Sequence, residues 1–363
     1  MEESPAVAVI PMMSISLGEF AMLGISAFAL TGFLTWPVRM LAIRLGAMDT
    51  PNLARKTQTT AVPYLGGLAI ALGITIITFS AVFVGGNRNG RNSDQLKDLA
   101  LTVLLPALLL GTIGLVDDLR SLSPWPRLVA QSVVGSFVAF AIVQWGIVGT
   151  PFGSSTINTA VTIFWIVGIC NSINFFDNLD GAASGAVAIA AFGIFVIAFD
   201  RGQELVSALS IVTAGATMGF LMWNKSPAKI YMGDAGALFL GVIVSVATIR
   251  LNPGIAPTWQ SLTIPMMLVA VPLLDTCVAV FSRLTRGLSP LTGGKDHLSH
   301  RLVRLGFTRR RAATLLWSAS GLSSLFALLV YFHGQAIGSI VIISFSAIWI
   351  MAFVIFLRVG PLE

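Results

Sequence analysis

Long apolar runs, most of them close to the ~20 residues that cross a hydrocarbon core, alternate with short polar breaks along almost the whole chain. The runs predict spans near 18–42, 64–84, 98–116, 126–148, 157–176, 181–199 and 205–223. Four more are expected near 235–250, 261–283, 312–333 and 336–358. The expected fold is all-α, a polytopic membrane protein with about eleven transmembrane helices. No internal repeat, low-complexity stretch or soluble domain interrupts the pattern, so residues 1–363 read as one integral membrane domain. Its largest extramembrane piece is the basic loop 284–311.

The polar breaks are asymmetric. With the spans numbered in order, one set of loops holds 17 of the 22 Lys and Arg residues, among them Lys56, Arg127 and Arg301. The other set holds five: Arg88, Arg91, Lys97, Arg201 and Arg250. Basic residues gather on the cytoplasmic side, which places the N-terminus outside and the C-terminus inside. Composition agrees: 55% of residues are hydrophobic, 10% are charged and the mean hydropathy is +0.86, against about 25% charged in soluble domains. The net charge of +6 and pI near 9.8 follow from the cytoplasmic bias, so no nucleic-acid partner is expected. Cys170 and Cys277 lie in apolar runs and read as inert core residues. The start Met-Glu-Glu does not read as a signal peptide.

The acids sort to one face as well. Asp49, Asp117, Asp118, Asp177, Asp180, Asp234 and Asp296 all fall on the basic side, several at span ends. Acids at membrane depth are costly and mark functional sites. A divalent metal and a substrate phosphate would supply counter-charge.

Four constellations carry the candidate chemistry. In Gly114-Leu-Val-Asp117-Asp118-Leu-Arg120 the adjacent carboxylates point about 100° apart on a helix, so they serve different partners: a metal, a nucleophile or a basic loop. Asn171, Asn174, Asp177 and Asp180 recur every three residues and, if helical, form one polar stripe suited to a hard cation or a nucleobase. Interhelical hydrogen bonding is the alternative use of such asparagines. Lys229-Ile-Tyr-Met-Gly233-Asp234-Ala-Gly236 opens a helix and favours an anion there, unless Asp234 only caps it. Gly293-Gly-Lys-Asp296-His297-Leu-Ser-His300-Arg301 suits a diphosphate through charge-assisted hydrogen bonds better than zinc. Asp275 lies inside the ninth span with either a basic partner or a substrate to meet, and Pro63-Tyr-Leu-Gly66-Gly67 suggests close helix packing.

In this order and on this side, the motifs resemble the polyprenyl-phosphate N-acetylhexosamine-1-phosphate transferases, from Asp49 to about Arg311. Pro63-Tyr-Leu-Gly-Gly67 and His297-Leu-Ser-His300-Arg-Leu-Val-Arg-Leu-Gly-Phe307 look like the undecaprenyl-phosphate GlcNAc-1-phosphate branch. They look less like the branch that uses UDP-MurNAc-pentapeptide. The resemblance implies a plasma-membrane enzyme that moves a sugar-1-phosphate from a UDP-sugar to polyprenyl phosphate at the cytoplasmic face, with Mg²⁺ or Mn²⁺, and it leaves room for a homodimer. It implies that Asp117 and Asp118 handle the lipid phosphate and help organise the metal, with Asp177 and Asp180 in the nucleotide pocket or in catalysis. Asn174 and Asp234 would ligate the metal, and His297, His300 and Arg301 would hold donor phosphates. Asn171 and Lys56 complete the expected substrate-binding set. Asn178, Ser299 and Gln58 depart from the family's usual Gly, His and His, which bears on donor preference. A secondary transporter would bind near the midplane and show repeats, and neither sign is present.

Overall fold

The computed structural model describes residues 15–50, 61–89, 98–120, 122–146 and 151–360. Lys56 and Gln58 lie outside them. Helix α1 (Leu17–Arg44) leads to a two-residue strand β1 (Met48–Asp49), which pairs antiparallel with β2 (Val62–Pro63) in the register Met48↔Pro63. Then follow α2 (Gly66–Asn89) and α3 (Leu105–Arg120), the latter preceded by a π-helical turn over Ala100–Leu104. The middle of the chain forms α4 (Pro124–Gln144), α5 (Ser155–Phe176), α6 (Ala182–Asp200), α7 (Glu204–Asn224) and α8 (Gly233–Arg250). The last third forms α9 (Thr258–Leu268), α10 (Ala270–Thr285), the short α11 (Leu298–Arg304) and α12 (Arg309–Val359). Among the described residues, eight helices are long and apolar enough to cross a membrane, and a bent pair would make a ninth. The protein is a helical, multi-pass membrane protein.

One predicted span takes a different form. The run 261–283 is not straight: α9 and α10 meet at 75°, with Val269 between them at φ −111°, ψ 17°. Pro272 supplies the cause. It has no N–H to give the carbonyl of Leu268, and its ring crowds that oxygen. The runs 312–333 and 336–358 are both helical, as expected: α12 is two helices joined at a kink at His333 (φ −127°, ψ 15°), and its end returns to α11, where Phe356 O accepts from Arg301. The β1–β2 pair is a further departure from the all-α expectation. It is too short to leave a periodic signature, but it brings Asp49 and Tyr64 to the cavity described below.

Helix α8 is the centre of the bundle. Every residue from Ala235 to Thr248 is buried, and α2, α3, α5, α6 and α7 all pack on it. A helix apolar on all sides belongs in such a position. Burial of apolar surface cannot drive association inside lipid, so close backbone approach must. Helices α1 and α7 show it: a Cβ on Gly215 would lie 2.1 Å from the carbonyl oxygen of Gly24, and one on Gly219 would lie 2.2 Å from that of Phe28. Large apolar side chains such as Phe33, Phe164 and Ile343 stay more than two-thirds exposed, as a lipid-facing surface requires.

Candidate active site

The same close packing builds the site. The N-terminus of α8 is wedged between α2 and α3 where glycines leave no side chain. A Cβ on Gly67 would stand 2.1 Å from the Gly236 nitrogen, and one on Gly114 would stand 2.4 Å from the Asp234 carbonyl oxygen. Backbone hydrogen bonds tie the joint: Gly66 N–H donates to Tyr231 O (2.9 Å), Gly67 N–H to Met232 O (2.8 Å) and Tyr231 N–H to Pro63 O (2.9 Å). The Pro63–Gly67 motif is therefore a packing device that fixes where α8 begins.

At this joint the two adjacent acids of α3 part company. Asp118 accepts the N–H of Asp234 (2.9 Å) and of Ala235 (3.0 Å), capping α8 from a neighbouring helix. Gly233 sits at φ +74°, and a Cβ there would lie 2.6 Å from Asp118 Oδ2, so only glycine fits. Because Asp118 caps, Asp234 need not. The sequence groups Asp118 with the catalytic acids; in the structure it lines the cavity and its carboxylate also positions Asp234.

Asp117 points the other way. It accepts the Leu122 N–H (2.6 Å) and Nη1 of Arg127 (2.7 Å), and the same Nη1 donates to Asp234 Oδ2 in a short contact. Asn174, on the last turn of α5, donates to Asp234 Oδ1 at 2.7 Å. Carboxylate oxygens from two helices, α3 and α8, thus meet at one guanidinium nitrogen, and Asn174 of α5 braces Asp234 from its other side.

The polar stripe is helical only as far as Asn174. Helix α5 ends at Phe176, and the chain turns through Asp177 to Gly181, which caps α6 at φ +76°. The turn brings both acids into the site. Asp180 accepts the Ala228 N–H (3.1 Å), and Asn224 braces the turn by accepting the Gly181 N–H (3.1 Å) and donating to Ile230 O (3.0 Å). The Asp177 carboxyl is raised to about 7, first by burial and then by the charges of Asp234, Asp118 and Asp180, with the Gly233 N–H offsetting part of this. Too many acids share too little counter-charge. Burial and the charges of Asp180 and Asp49 likewise push the Tyr231 phenol up.

The histidine motif closes the far wall. Asp275, fully buried in α10, accepts the Leu298 N–H (2.6 Å) and pairs with His297 Nδ1 (2.7 Å). His297 Nε2 faces Nη2 of Arg283 at 3.3 Å. Arg283 also donates to Asp296 Oδ2 (2.9 Å) and Pro290 O (2.7 Å) and lies 5.4 Å from the centre of the Phe175 ring. Asp275 therefore serves the basic loop, orienting His297 and capping α11. His300 lines the cavity with its pKa lowered to about 4 by burial first and then by His297, so at neutral pH it is an uncharged hydrogen-bonding group.

Together these elements enclose a cavity of about 870 Å³, lined by Asp117, Asp118, Asn174, Asp177, Asp180, Asp234, His297 and His300 among others. Two expected residues are elsewhere. Asn171 donates to Gln131 (2.5 Å) and to Val167 O (2.8 Å), serving helix packing against α4. Arg301 is fully buried, donating to Asp296 O (2.8 Å) and Phe356 O (2.6 Å), so it clamps α11 to the end of α12 instead of holding substrate. Arg127, Arg283 and Arg309 line the cavity but carry no individual signal in the sequence, where each is one basic residue among many. Ser299 Oγ donates to Asn178 Oδ1 in a short contact, so two residues that depart from the family pattern meet each other.

Among the described residues, no three His, Cys, Asp or Glu side chains form a ready metal cage. The donor set still suits a hard cation. Asp117 and Asp234 each offer an oxygen to one point, and Asn174 can offer its amide oxygen by a half-turn of the side chain. All three are oxygen donors of the kind Mg²⁺ takes, which leaves its other positions to phosphate and water.

The model of glycosyl transferase family 4 matches residues 100–252, a stretch that includes Asp117 through Asp234. The chain is 30% identical over 328 residues to a probable undecaprenyl-phosphate N-acetylglucosaminyl 1-phosphate transferase of Bacillus subtilis, covering 89% of this chain and 84% of that one. It is 33% identical to a decaprenyl-phosphate N-acetylglucosaminephosphotransferase of Mycobacterium tuberculosis, covering 84% and 80%. It is 27% identical to the undecaprenyl-phosphate alpha-N-acetylglucosaminyl 1-phosphate transferase of Escherichia coli K12, covering 85% and 83%. With that likeness running nearly end to end, and the acids of separate segments gathered in one cavity, the chain belongs to glycosyl transferase family 4, among the polyprenyl-phosphate N-acetylhexosamine-1-phosphate transferases.

Proposed function

We propose that the protein transfers GlcNAc-1-phosphate from UDP-GlcNAc to a polyprenyl phosphate and releases UMP. The observation that carries this reading is the convergence of Asp117, Asn174 and Asp234 beside Asp177 and Asp180 in one polar cavity. The relatives' names supply the polyprenyl phosphate acceptor and the GlcNAc-1-phosphate group, and the UDP donor is our inference from the family resemblance. Asp117, Asp234 and Asn174 would hold Mg²⁺, which when bound supplies counter-charge to the two phosphate groups that must meet. Arg127 bridges Asp117 and Asp234 and keeps the carboxylates together when no cation does. Asp118 fixes the direction of Asp234 through the α8 backbone. His300, neutral in its setting, can donate to phosphate oxygens without adding charge. The turn 177–181 and Tyr231 wall the side of the cavity where the nucleotide would lie. One phosphoanhydride breaks as another forms, so the reaction is close to isoenergetic and reversible.

The 17-to-5 division of Lys and Arg supports a cavity on the cytoplasmic face of the plasma membrane. Counting α12 as two spans about His333, the broken pair α9–α10 as one and the shorter α2 as one gives eleven spans, with the N-terminus outside. The decisive assay is UMP release from a panel of UDP-sugars by the purified protein with polyprenyl phosphate. UDP-GlcNAc should serve and UDP-MurNAc-pentapeptide should not. The reverse preference would reject the donor assignment, and no release from any UDP-sugar would reject the function.

A further inference from the structure

The cavity is short of usable positive charge. Six aspartates line it against three arginines, and two of the three are committed. Arg127 is held by Asp117 and Asp234, and Arg283 by Asp296 and Pro290 O. Arg309, the first residue of α12, lines the same cavity and, among the described residues, has neither a hydrogen bond nor an ion pair. Its position is nonetheless fixed. Its neighbour Arg310 donates to Ser226 O at 2.8 Å, and Trp317, two turns further along α12, donates to Gly181 O at 3.0 Å. These contacts dock the start of α12 onto the segments that carry Asp180 and Tyr231. The charge of Arg309 acts on both Tyr231 and His300, which line the same cavity. Arg309 is half-buried and directly follows the exposed segment 304–308, so a soluble nucleotide can reach it from water.

We propose that Arg309 holds the diphosphate of the incoming nucleotide-sugar. The assignment rests on the function proposed above and adds to it a binding residue that no sequence motif marks. A guanidinium without a protein acceptor presents its planar fork to phosphate oxygens, and here it shares the cavity with His300. The acceptor's single phosphate would instead approach from the membrane, near Asp117 and Arg127 at the ends of α3 and α4.

The test is direct titration of UDP into the purified full-length protein, alongside KM for polyprenyl phosphate in the UMP-release assay. Arg309→Ala should weaken UDP by about tenfold or more, the scale of a lost charge-assisted hydrogen bond, and leave KM for polyprenyl phosphate within about twofold. Arg309→Lys keeps the charge without the fork and should fall between. If Arg309→Ala does not fold, Arg309→Gln should show the same loss of UDP affinity. Unchanged UDP binding in the folded variants would overturn the proposal, as would an effect confined to polyprenyl phosphate, which would move Arg309 to the acceptor. The two readings fail separately. Wild-type protein that released no UMP would sink the reaction, while the UDP titration would still decide Arg309.

Discussion

The capping role of Asp118 makes a prediction that separates positioning from chemistry. Asp118→Asn keeps the shape of the side chain but leaves one oxygen to accept where two now serve the N–H groups of Asp234 and Ala235, at 2.9 and 3.0 Å. Its new NH₂ would confront a donor. A buried N–H left without its acceptor costs about 1–3 kcal/mol. The α8 N-terminus carries Asp234 and lies against Gly67 and Gly114 with no slack, so the loss should appear in stability as well as in rate. The variant should melt several degrees below wild type and turn over far more slowly. Asp234→Asn gives the contrast, since it removes charge from a crowded set of acids and no backbone cap. It should be inactive yet melt near wild type. The assay is fluorescence-detected thermal unfolding of each purified variant beside UMP release. If Asp118→Asn melted like wild type and were inactive, Asp118 would act on substrate directly and the capping argument would be wrong.

Other outcomes follow from the same geometry. Asp234→Ala should abolish turnover at every Mg²⁺ concentration, whereas Asn174→Ala, losing a neutral donor, should recover partly in excess Mg²⁺; near-normal rates for Asp234→Ala would remove Asp234 from the metal site. Gly114→Ala puts a Cβ 2.4 Å from the Asp234 carbonyl oxygen and should cost folded yield or activity outright, so a wild-type yield with full activity would contradict the joint. The Asp177 carboxyl lies near 7 in the folded protein, above its ordinary value near 4, so its ionisation opposes folding increasingly as pH rises between the two. The melting advantage of Asp177→Asn over wild type should therefore grow from about pH 4 to about pH 7 and then level off; an advantage that shrank with pH would refute the cause given. Cysteines introduced at the exposed Thr258 and Leu305 should label from opposite sides of sealed vesicles, Leu305 from the cytoplasm, and same-side labelling would overturn the topology.

Much of this arrangement is legible in the sequence because the membrane simplifies the code. Apolar runs mark the spans, and the gathering of acids on the basic face marks the cavity, since few other reasons place Asp177, Asp180 and Asp234 there. Side-chain direction is less accessible. Helical spacing groups Asn171 with Asn174, but the partner of Asn171 is Gln131 on α4, a tertiary fact that no local pattern holds. Arg301 sits in a motif beside two histidines and yet turns into the protein to reach Phe356, 55 residues away in sequence. Arg127 shows the converse, an unmarked residue that ends between two acids from α3 and α8. The bend between α9 and α10 does have a local signal, because Pro265 and Pro272 flank Val269 in the run 261–283. Asp275 stands out as unusual inside a span but has no assignable role there, because its partners are on the loop 284–311 that folds back over it.

The central claim is that the phosphorus attached to the sugar moves with it. UDP-GlcNAc labelled in the β-phosphate, incubated with the purified protein, Mg²⁺ and polyprenyl phosphate, tests this most directly. Label should pass into the lipid as a polyprenyl diphosphate-linked GlcNAc, with unlabelled UMP formed in equal amount, and added UMP should drive label back into nucleotide. Label that stayed in the nucleotide as UDP while the sugar reached the lipid, or that left as free GlcNAc-1-phosphate, would contradict the account.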